Sequence, residues 1–361
     1  MILCYNLNKI SIIEREAINI SMRKLNRVLV LGTGYWANFQ IPAWQSLGVE
    51  VSGVWNRSAD KAKAAAERFK IKNIYPTLEE AFASSFDIAD IIVGPEAHER
   101  LVMMAAAAEK HVICQKPMAD TLPDCERMVK ACEEKGLWYA VHENFRYQPP
   151  IIAVKEYLPF VGKPVYAHIQ LKSPDREIIT VKQPALMEFD HLCLRDMGPH
   201  IFDVARYYFG EAESIYTVPA TAYPDLNKED TTLSLLRMKS GIPVFCQLSH
   251  DFMYKVFIKG ENGTLTLTGD HKITLTNSKG SEIVDAGKWD RLNYIPDDDW
   301  VIHGGHVFAS IPLCLAALKN SYESETEAET SGKDNLKTMK LMFAAIKSVE
   351  EGRVVRLDEK L

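Results

Sequence analysis

The chain has 361 residues, more than one compact core usually serves, which predicts two domains. Its hydrophobic fraction of 47% and charged fraction of 25% are those of an ordinary globular protein. The net charge of −6, without a dense Lys/Arg cluster, argues against nucleic acid as a partner, and no apolar run is long enough for a membrane span. Seven scattered cysteines without a Cys-x-x-Cys spacing predict free thiols and a cytoplasmic location.

The first 21 residues have the character of an extension. They contain apolar residues, but Glu14, Arg15 and Glu16 interrupt them, so no signal-peptide core forms. Met22 directly precedes the first predicted strand and is a candidate natural start. We therefore expect residues 1–21 to be poorly ordered or to pack peripherally.

A glycine turn follows that strand. The apolar run 27–31 leads into Gly32, Gly34 and Ala37, and a second strand at 50–55 follows after a helix-length gap. This is the pattern of a dinucleotide-binding βαβ unit, in which the turn and the N-terminus of the next helix hold a pyrophosphate. The residues predicted to contact the cofactor here are Gly32, Thr33, Gly34, Tyr35 and Trp36.

The end of the second strand bears on which dinucleotide is bound. A carboxylate there would accept hydrogen bonds from the ribose of NAD and repel the 2′-phosphate of NADP. The chain instead has Asn56, Arg57 and Ser58, and an arginine can pair with a phosphate or stack on adenine. These residues favour NADP over NAD. In the alternative, Arg57 is a solvated loop charge and Ser58 caps the helix at 59–69.

Strand and helix patterns continue to alternate up to about residue 147. This alternation predicts a doubly wound Rossmann domain at 22–147, with its strand-end loops around the cofactor. The predicted strands are 73–75, 89–93, 111–114 and 138–141, and the predicted helices are 59–69, one beginning after Thr77, 96–110 and 122–135.

Pro149 and Pro150 mark a change of pattern. Beyond them, longer strand-like stretches predict an α+β domain at 148–361 with an open, largely antiparallel sheet. An open sheet leaves a face or edge uncovered, so we expect the protein to self-associate through this domain. The predicted strands are 164–171, 231–238, 243–249, 255–259 and 264–268, with helices at 151–158, 195–209 and 334–350.

Several segments together resemble one family. They are Gly32-Thr33-Gly34, Gln115-Lys116-Pro117, Asn144-Phe145-Arg146-Tyr147, Asp196-Met-Gly-Pro-His200, the stretch 260–267 and the stretch 348–352. Their order and spacing resemble the Gfo/Idh/MocA oxidoreductases over about 24–357. The resemblance implies an NAD(P)-dependent oxidoreductase that moves a hydride between nicotinamide and a sugar, polyol or related hydroxy compound. A small carbohydrate-like substrate would then lie in the cleft between the two domains, and the protein would be a homodimer or homotetramer.

The resemblance also implies three catalytic residues. Lys116 matches the lysine of the family's Glu-Lys-Pro motif, and an ammonium there would stabilise alkoxide charge on the substrate oxygen. Asp196 and His200 are four residues apart, which places them on one helix face. Histidine ordinarily titrates near neutrality, so His200 could take the hydroxyl proton, while Asp196 orients the substrate or favours the imidazolium. In the structural alternative, Lys116 is a surface residue, Asp196 caps the helix and His200 packs in the core.

Further residues match segments that pass the cofactor in the family. Gln115 stands where the family usually has Glu, which leaves the protonation state of Lys116 open. His98 could equally cap the next helix, and Arg146 could form a salt bridge between the domains. The residues added to the cofactor site on this basis are Pro95, His98, Gln115, Asn144 and Arg146.

Two other classes of function remain open at this point. The family includes non-catalytic proteins that sense NAD(P) and sugars, and it includes NAD-dependent glycosidases. The joint presence of Lys116, Asp196 and His200 favours redox chemistry. A metal site at His303 and His306 is not predicted, because no Cys or acidic ligand set accompanies them at a recognisable spacing.

Overall fold

The computed structural model describes residues 23–173, 176–226, 228–249, 255–269, 271–286 and 299–361, with the backbone alone at 182, 185 and 299–309. The predicted extension at 1–21 lies outside the described residues. Two β-sheets organise the described part of the chain, one of five strands and one of nine. They correspond to the predicted combination of a Rossmann sheet and an open, largely antiparallel sheet.

The five strands of the first sheet are all parallel, in the order β2-β1-β3-β4-β5. Strand β1 alternates between the two faces of the sheet: Val28 and Val30 pack with α1, α2 and α8, and Leu29 and Leu31 with α3, α4 and α5. Helices cover both faces of this sheet, as expected for a parallel sheet. Its elements are β1 Arg27–Leu31, α1 Ala37–Ser46, β2 Glu50–Trp55, α2 Ala59–Phe69, α3 Leu78–Ala83, β3 Ile88–Ile91, α4 His98–Ala107, β4 His111–Gln115, α5 Leu122–Glu134 and β5 Tyr139–His142, with α8 Asp299–Glu323 added from the end of the chain.

The second sheet follows α6 and has the order β13-β12-β11-β10-β6-β9-β8-β7-β14. All of its neighbouring pairs are antiparallel except β6 and β9. Helices α7 and α9 pack on its inner face. The elements are α6 Pro149–Tyr157, β6 Pro164–Lys172, α7 Leu192–Phe209, β7 Ala212–Ala220, β8 Thr231–Met238, β9 Pro243–Ser249, β10 Lys255–Gly260, β11 Gly263–Leu267, β12 Lys272–Asn277, β13 Gly280–Asp285, α9 Gly332–Glu351 and β14 Val355–Arg356.

Local capping explains where several helices begin. The hydroxyl of Thr77 accepts a hydrogen bond from the backbone of Glu80, and Thr121 caps α5 in the same way. Ser331 caps α9 through the backbone N–H of Asp334, and Gly352 ends that helix with a left-handed backbone. These signals are local, so the sequence predicts the helix starts well.

Two predicted boundaries are wrong. The strand predicted at 73–75 is a single bridge between Val54 and Ile74. Pro76 has no N–H that could extend the ladder, and the side-chain amide of Asn73 donates to Ser52 O. Without a strand at 73–75, the strand that Lys116 follows is the fourth along the chain, whereas the sequence predicted it as the fifth. Helix α7 begins at Leu192 and not near residue 195.

Five elements are absent from the sequence prediction: β7, β12, β13, β14 and α8. Helix α8 contains two adjacent glycines and Pro312, all of low helix propensity. Its apolar side chains Ile311, Leu315 and Leu318 pack beside α1, and this burial outweighs the propensity.

Candidate active site

The glycine turn lies between β1 and α1. Gly32 has φ +107°, and a Cβ on it would lie 2.5 Å from the carbonyl oxygen of Ile92. Any other residue would be strained there and would collide with the β3 end of the sheet. Its N–H donates to Trp55 O at 2.8 Å, which ties the turn to β2.

The same turn has room and polar groups for a pyrophosphate. A Cβ on Gly34 would meet nothing within 4 Å, so open space lies directly over its backbone. The buried hydroxyl of Thr33 has no hydrogen-bond partner among the described residues. Helix α1 begins at Ala37, so its first N–H groups lie next to this space. A dinucleotide phosphate fits this arrangement.

The residues that follow β2 have the exposure expected for an adenosine-binding edge. The amide of Asn56 donates to Ser58 O at 3.2 Å, and the Arg57 side chain is exposed. Ser58 occupies the N-cap position of α2, but its hydroxyl makes no cap hydrogen bond. Positions 56–58 contain no carboxylate, and the Arg57 side chain and the Ser58 hydroxyl could both contact a ligand.

Lys116 and Asp196 meet across the two parts of the chain. Lys116 follows β4, and its Nζ donates to Asp196 Oδ1 at 2.8 Å and to Asp196 O at 2.9 Å. Their side chains are only 9% and 13% exposed. Asp196 is the fifth residue of α7, so it does not cap that helix. The ammonium is thus held at the carboxyl end of the sheet, where ligands bind in doubly wound folds.

His200 lies one turn further along α7 and is 3% exposed. Its Nδ1 contacts Glu143 Oε1, directly after β5. The ring stacks on Phe145 with 3.8 Å between centroids and 18° between planes. The three predicted catalytic residues are therefore brought into one cluster, to which the structure adds Glu143.

The expectation that His200 itself titrates near neutrality is wrong. Burial lowers the pKa of His200 well below its ordinary value, and the charge of Lys116 lowers that pKa further. Glu143 behaves in the opposite way, because burial raises the pKa of its carboxyl to about 7 despite the nearby charges of Lys116 and Arg146. A near-neutral ionisation of the cluster therefore involves Glu143.

His98 was predicted to contact the cofactor, but its contacts in the structure are with the backbone. His98 is fully buried: Nδ1 lies 3.0 Å from Pro117 O, and Nε2 lies 3.0 Å from Val93 O. Both ring nitrogens are therefore occupied by backbone, so the prediction of a cofactor contact is wrong for His98.

Arg146 forms the salt bridge that the sequence left as an alternative. Its Nε donates to Asp203 Oδ2 at 2.8 Å and its Nη2 to Asp334 Oδ2 at 3.1 Å. With 6% exposure, the guanidinium joins the end of β5 to α7 and α9 rather than binding a cofactor. Removing one partner of such a buried pair typically costs about 3–5 kcal/mol.

The side chain of Gln115 points into a buried polar network that the sequence did not predict. Its Nε2 donates to Gln40 Oε1 at 2.5 Å, and the Gln40 amide donates to Asp90 at 2.9 Å. Trp44 donates to the same carboxylate at 2.7 Å. A glutamate at 115 would set a carboxylate against the Gln40 carbonyl oxygen, so the amide at this position has a physical reason. Burial raises the pKa of Asp90 to about 7, which the bonds from Trp44 and Gln40 partly offset.

The remaining predicted residues lie around the same edge of the sheet. Pro95 begins the turn that follows β3, and the amide of Asn144 donates to Ser310 Oγ of α8 at 2.6 Å. Tyr35 and Trp36 stack edge to face with 5.3 Å between ring centroids at the start of α1. The side chains of His303 and His306 lie outside the described residues.

The comparisons with known proteins agree with this geometry. Residues 26–143 match the model of the "Oxidoreductase family, NAD-binding Rossmann fold", and residues 160–266 match the "GFO/IDH/MocA C-terminal domain". D-apiose dehydrogenases of Paraburkholderia graminis and Rhizobium rhizogenes are each 30% identical to this chain. The first alignment covers 91% of this chain and 88% of the relative, and the second covers 95% and 100%.

Solved structures match over the same length. An oxidoreductase from Agrobacterium radiobacter in complex with NAD+, L-tartaric acid and magnesium has a TM-score of 0.86 and 29% identity, over 93% of this chain and 99% of that one. A levoglucosan dehydrogenase in complex with NADH matches with a TM-score of 0.80 and 18% identity, over 93% of this chain and 100% of that one. At this low identity the match supports only the similarity of the fold. In the part of the chain that the structure describes, no helix is long and apolar enough to cross a membrane. The chain belongs to the Gfo/Idh/MocA family of NAD(P)-dependent oxidoreductases.

Proposed function

We propose that this protein oxidises a secondary or hemiacetal hydroxyl group of a free sugar or polyol, with Lys116, Asp196 and His200 as the catalytic residues. The observation that carries the proposal is their convergence at the carboxyl ends of β4 and β5. The full-length similarity to D-apiose dehydrogenases makes a branched pentose the first substrate to test.

Each residue has a role that follows from its contacts. The Lys116 ammonium lies where it can stabilise negative charge on the reacting oxygen, and Asp196 fixes its position. His200 is neutral at pH 7, so its second ring nitrogen, Nε2, can accept the hydroxyl proton. The cofactor would be held by residues 32–36 and 56–58, and its oxidised nicotinamide supplies the acceptor for the hydride.

A substrate screen tests the function. Purified protein is incubated with NAD or NADP and a panel of aldoses, branched sugars, inositols and anhydrosugars, and absorbance at the nicotinamide band is followed. Reduction of the cofactor by one of them supports the proposal. Sugar binding without reduction favours a sensor, and hydrolysis of a glycoside without net change in cofactor favours a glycosidase.

We infer that NADP binds at least as tightly as NAD. Support comes from the absence of a carboxylate at 56–58 and from the exposed Arg57. Calorimetry with both dinucleotides checks this, and Arg57→Ala should weaken NADP binding more than NAD binding because only NADP carries the 2′-phosphate. The nearby Arg68→Ala is the control, since Arg68 pairs with Asn38 and faces α1. A clear preference for NAD that survives Arg57→Ala would contradict the inference.

We also propose that the protein self-associates through the outer face of the second sheet. The register aligns Tyr216, Leu235, Phe245, His168 and Phe257 side by side across five neighbouring strands. Leu235 is 52% exposed. A contiguous apolar row of this kind is typical of an interaction surface.

Light scattering tests this proposal. The wild-type protein should have the mass of a dimer or tetramer, and Leu235→Lys should shift it toward monomer by burying an unpaired charge in the interface. Ile283→Lys on the edge strand β13 is the control, because Ile283 is 66% exposed but lies outside the row. A monomeric wild-type protein at working concentration would contradict the proposal.

The domain limits of 22–147 and 148–361 and the cytoplasmic location stay predictions. Six cysteines of the described residues are free thiols and buried, which supports a reducing compartment. Limited proteolysis and fractionation of the source cells are the measurements that bear on these two points.

A further inference from the structure

Glu143 is the one buried carboxylate that contacts His200 in the described part of the chain. It is the residue immediately after β5, it has no exposed surface, and its Oε1 contacts Nδ1 of His200. We propose that Glu143 is a positioning residue that holds His200 as the Nδ1–H tautomer, so that the two residues accept and return the substrate proton as one unit. This inference rests on the oxidation proposed above.

The contact selects one state of the imidazole. When Glu143 is ionised, its oxygens can only accept, so Nδ1 carries the proton and Nε2 keeps its lone pair. The stacked ring of Phe145 fixes the plane of the imidazole, and α7 fixes its Cα. Orientation and tautomer are thus both set before a substrate arrives, which is what a general base needs.

The other buried charges nearby are already paired. Lys116 bonds to Asp196, and Arg146 bonds to Asp203. Neither ion pair includes Glu143, whose carboxylate contacts Nδ1 of His200 and accepts from the backbone N–H of Phe145. Burying a carboxylate without a cationic partner costs free energy, and a positive charge that forms on His200 during the reaction supplies such a partner.

The proton balance of the step is simple. As the substrate carbon loses a hydride to the oxidised nicotinamide and becomes a carbonyl carbon, the hydroxyl proton moves to Nε2 of His200. The ring becomes an imidazolium whose Nδ1–H faces the carboxylate of Glu143. Burial alone would make that cation costly, and the adjacent carboxylate offsets the cost. In the reverse direction, Nε2–H returns the proton to the carbonyl oxygen.

The titratable groups around Glu143 and His200 are either in ion pairs or neutral at pH 7. Lys116 faces it from the loop after β4, and Asp196 and Asp203 face it from α7, in the ion pairs given above. Arg146 lies beyond Phe145, and burial lowers the pKa of His142 on β5 to about 4, so that ring is neutral at pH 7. The ionisation near pH 7 therefore belongs to Glu143 and His200 jointly.

Nitrogen-15 NMR of histidine-labelled protein tests the pair without any substrate. In the wild-type protein at pH 9, the His200 signal, identified by its loss in His200→Asn, should be that of the Nδ1–H tautomer. The signal should shift through an ionisation near pH 7. In Glu143→Gln that ionisation should disappear between pH 6 and 9, because the amide does not titrate and buried His200 alone stays neutral.

Asp90→Asn is the matched control, since Asp90 is also buried with a pKa raised to about 7 but contacts Gln40 and Trp44 instead of His200. It should leave the His200 titration in place. An Nε2–H tautomer in the wild-type protein overturns the proposal even if Glu143→Gln does not fold. An unchanged titration in Glu143→Gln, or its loss in Asp90→Asn, also overturns it.

Kinetics with a confirmed substrate adds a second readout. Glu143→Gln should lower kcat by about 10- to 1,000-fold, between the loss of a supporting partner and the loss of the base itself, with KM and cofactor affinity little changed. The rise of the oxidation rate through pH 7 should vanish. A variant that loses thermal stability and binding but keeps the wild-type pH profile would show a purely structural role. Because the NMR test needs no turnover, failure of the proposed function and failure of this pair are told apart.

Discussion

His200→Asn is expected to slow the chemical step of the oxidation by about 10²- to 10⁴-fold, the range for loss of a general base. Asn can occupy much of the ring's volume but cannot accept the hydroxyl proton. Cofactor binding should be unchanged, because His200 lies on α7 and the phosphate turn lies before α1. Single-turnover hydride transfer, followed by nicotinamide absorbance with saturating substrate, measures the step directly.

The direction in which the oxidation rate changes with pH can also be predicted. The base form of the cluster needs the Glu143 carboxylate, whose pKa burial raises to about 7. The oxidation rate of the wild-type protein should therefore rise as pH increases through about 7 and then level off. His111→Asn should keep both rate and profile and serves as the control, because His111 is the first residue of β4, at the end of the strand opposite Lys116. Equal rates in wild type and His200→Asn would return His200 to a structural role and leave Lys116 as the acid/base candidate.

Lys116→Met should lower the same step by about 10²- to 10³-fold, the usual cost of removing one group that stabilises oxyanion charge. Methionine has a similar length but carries no charge, so negative charge on the substrate oxygen would develop without a cation nearby. Lys110→Met is the control, because Lys110 precedes β4 at the opposite end of the same strand and contacts Phe86. Its activity should match the wild type.

The variant also removes the partner of Asp196, so thermal unfolding is measured in parallel. A lower melting temperature with an unchanged rate constant would mean that the Lys116–Asp196 pair is structural. Asp196→Asn should reduce the rate less, since its contact orients the lysine. The double variant of Lys116 and His200 should lose less than the sum of the two single effects, because both act in one transition state.

The parts of the fold that depend on neighbouring residues in the chain were predictable. The strand-turn-helix of 27–37 has its information in the chain itself, because the backbone conformation of Gly32 requires glycine. The caps at Thr77 and Thr121 are equally local. Helix α8 shows the opposite case, since its glycines and Pro312 disfavour a helix and packing beside α1 decides the outcome.

The roles of individual polar residues were less predictable. Arg146 and His98 match family segments, yet burial and the contacts with Asp203 and with backbone carbonyls give them structural roles. Glu143 was missed although it lies immediately before the recognised segment at 144–147. The one available signal was a carboxylate at the end of a buried strand, where a charged residue must find a partner.

The sequence by itself determined that this chain binds a dinucleotide, has a parallel sheet followed by a mostly antiparallel one, and carries Lys116, Asp196 and His200 in an oxidoreductase pattern. Those features are local in the chain or lie at fixed spacings. Only the tertiary structure decided which of these side chains meet and which are buried. The contacts of His200 with Glu143, and of Lys116 with Asp196, join residues 57 and 80 positions apart, and a pKa depends on burial, which no spacing in the sequence specifies.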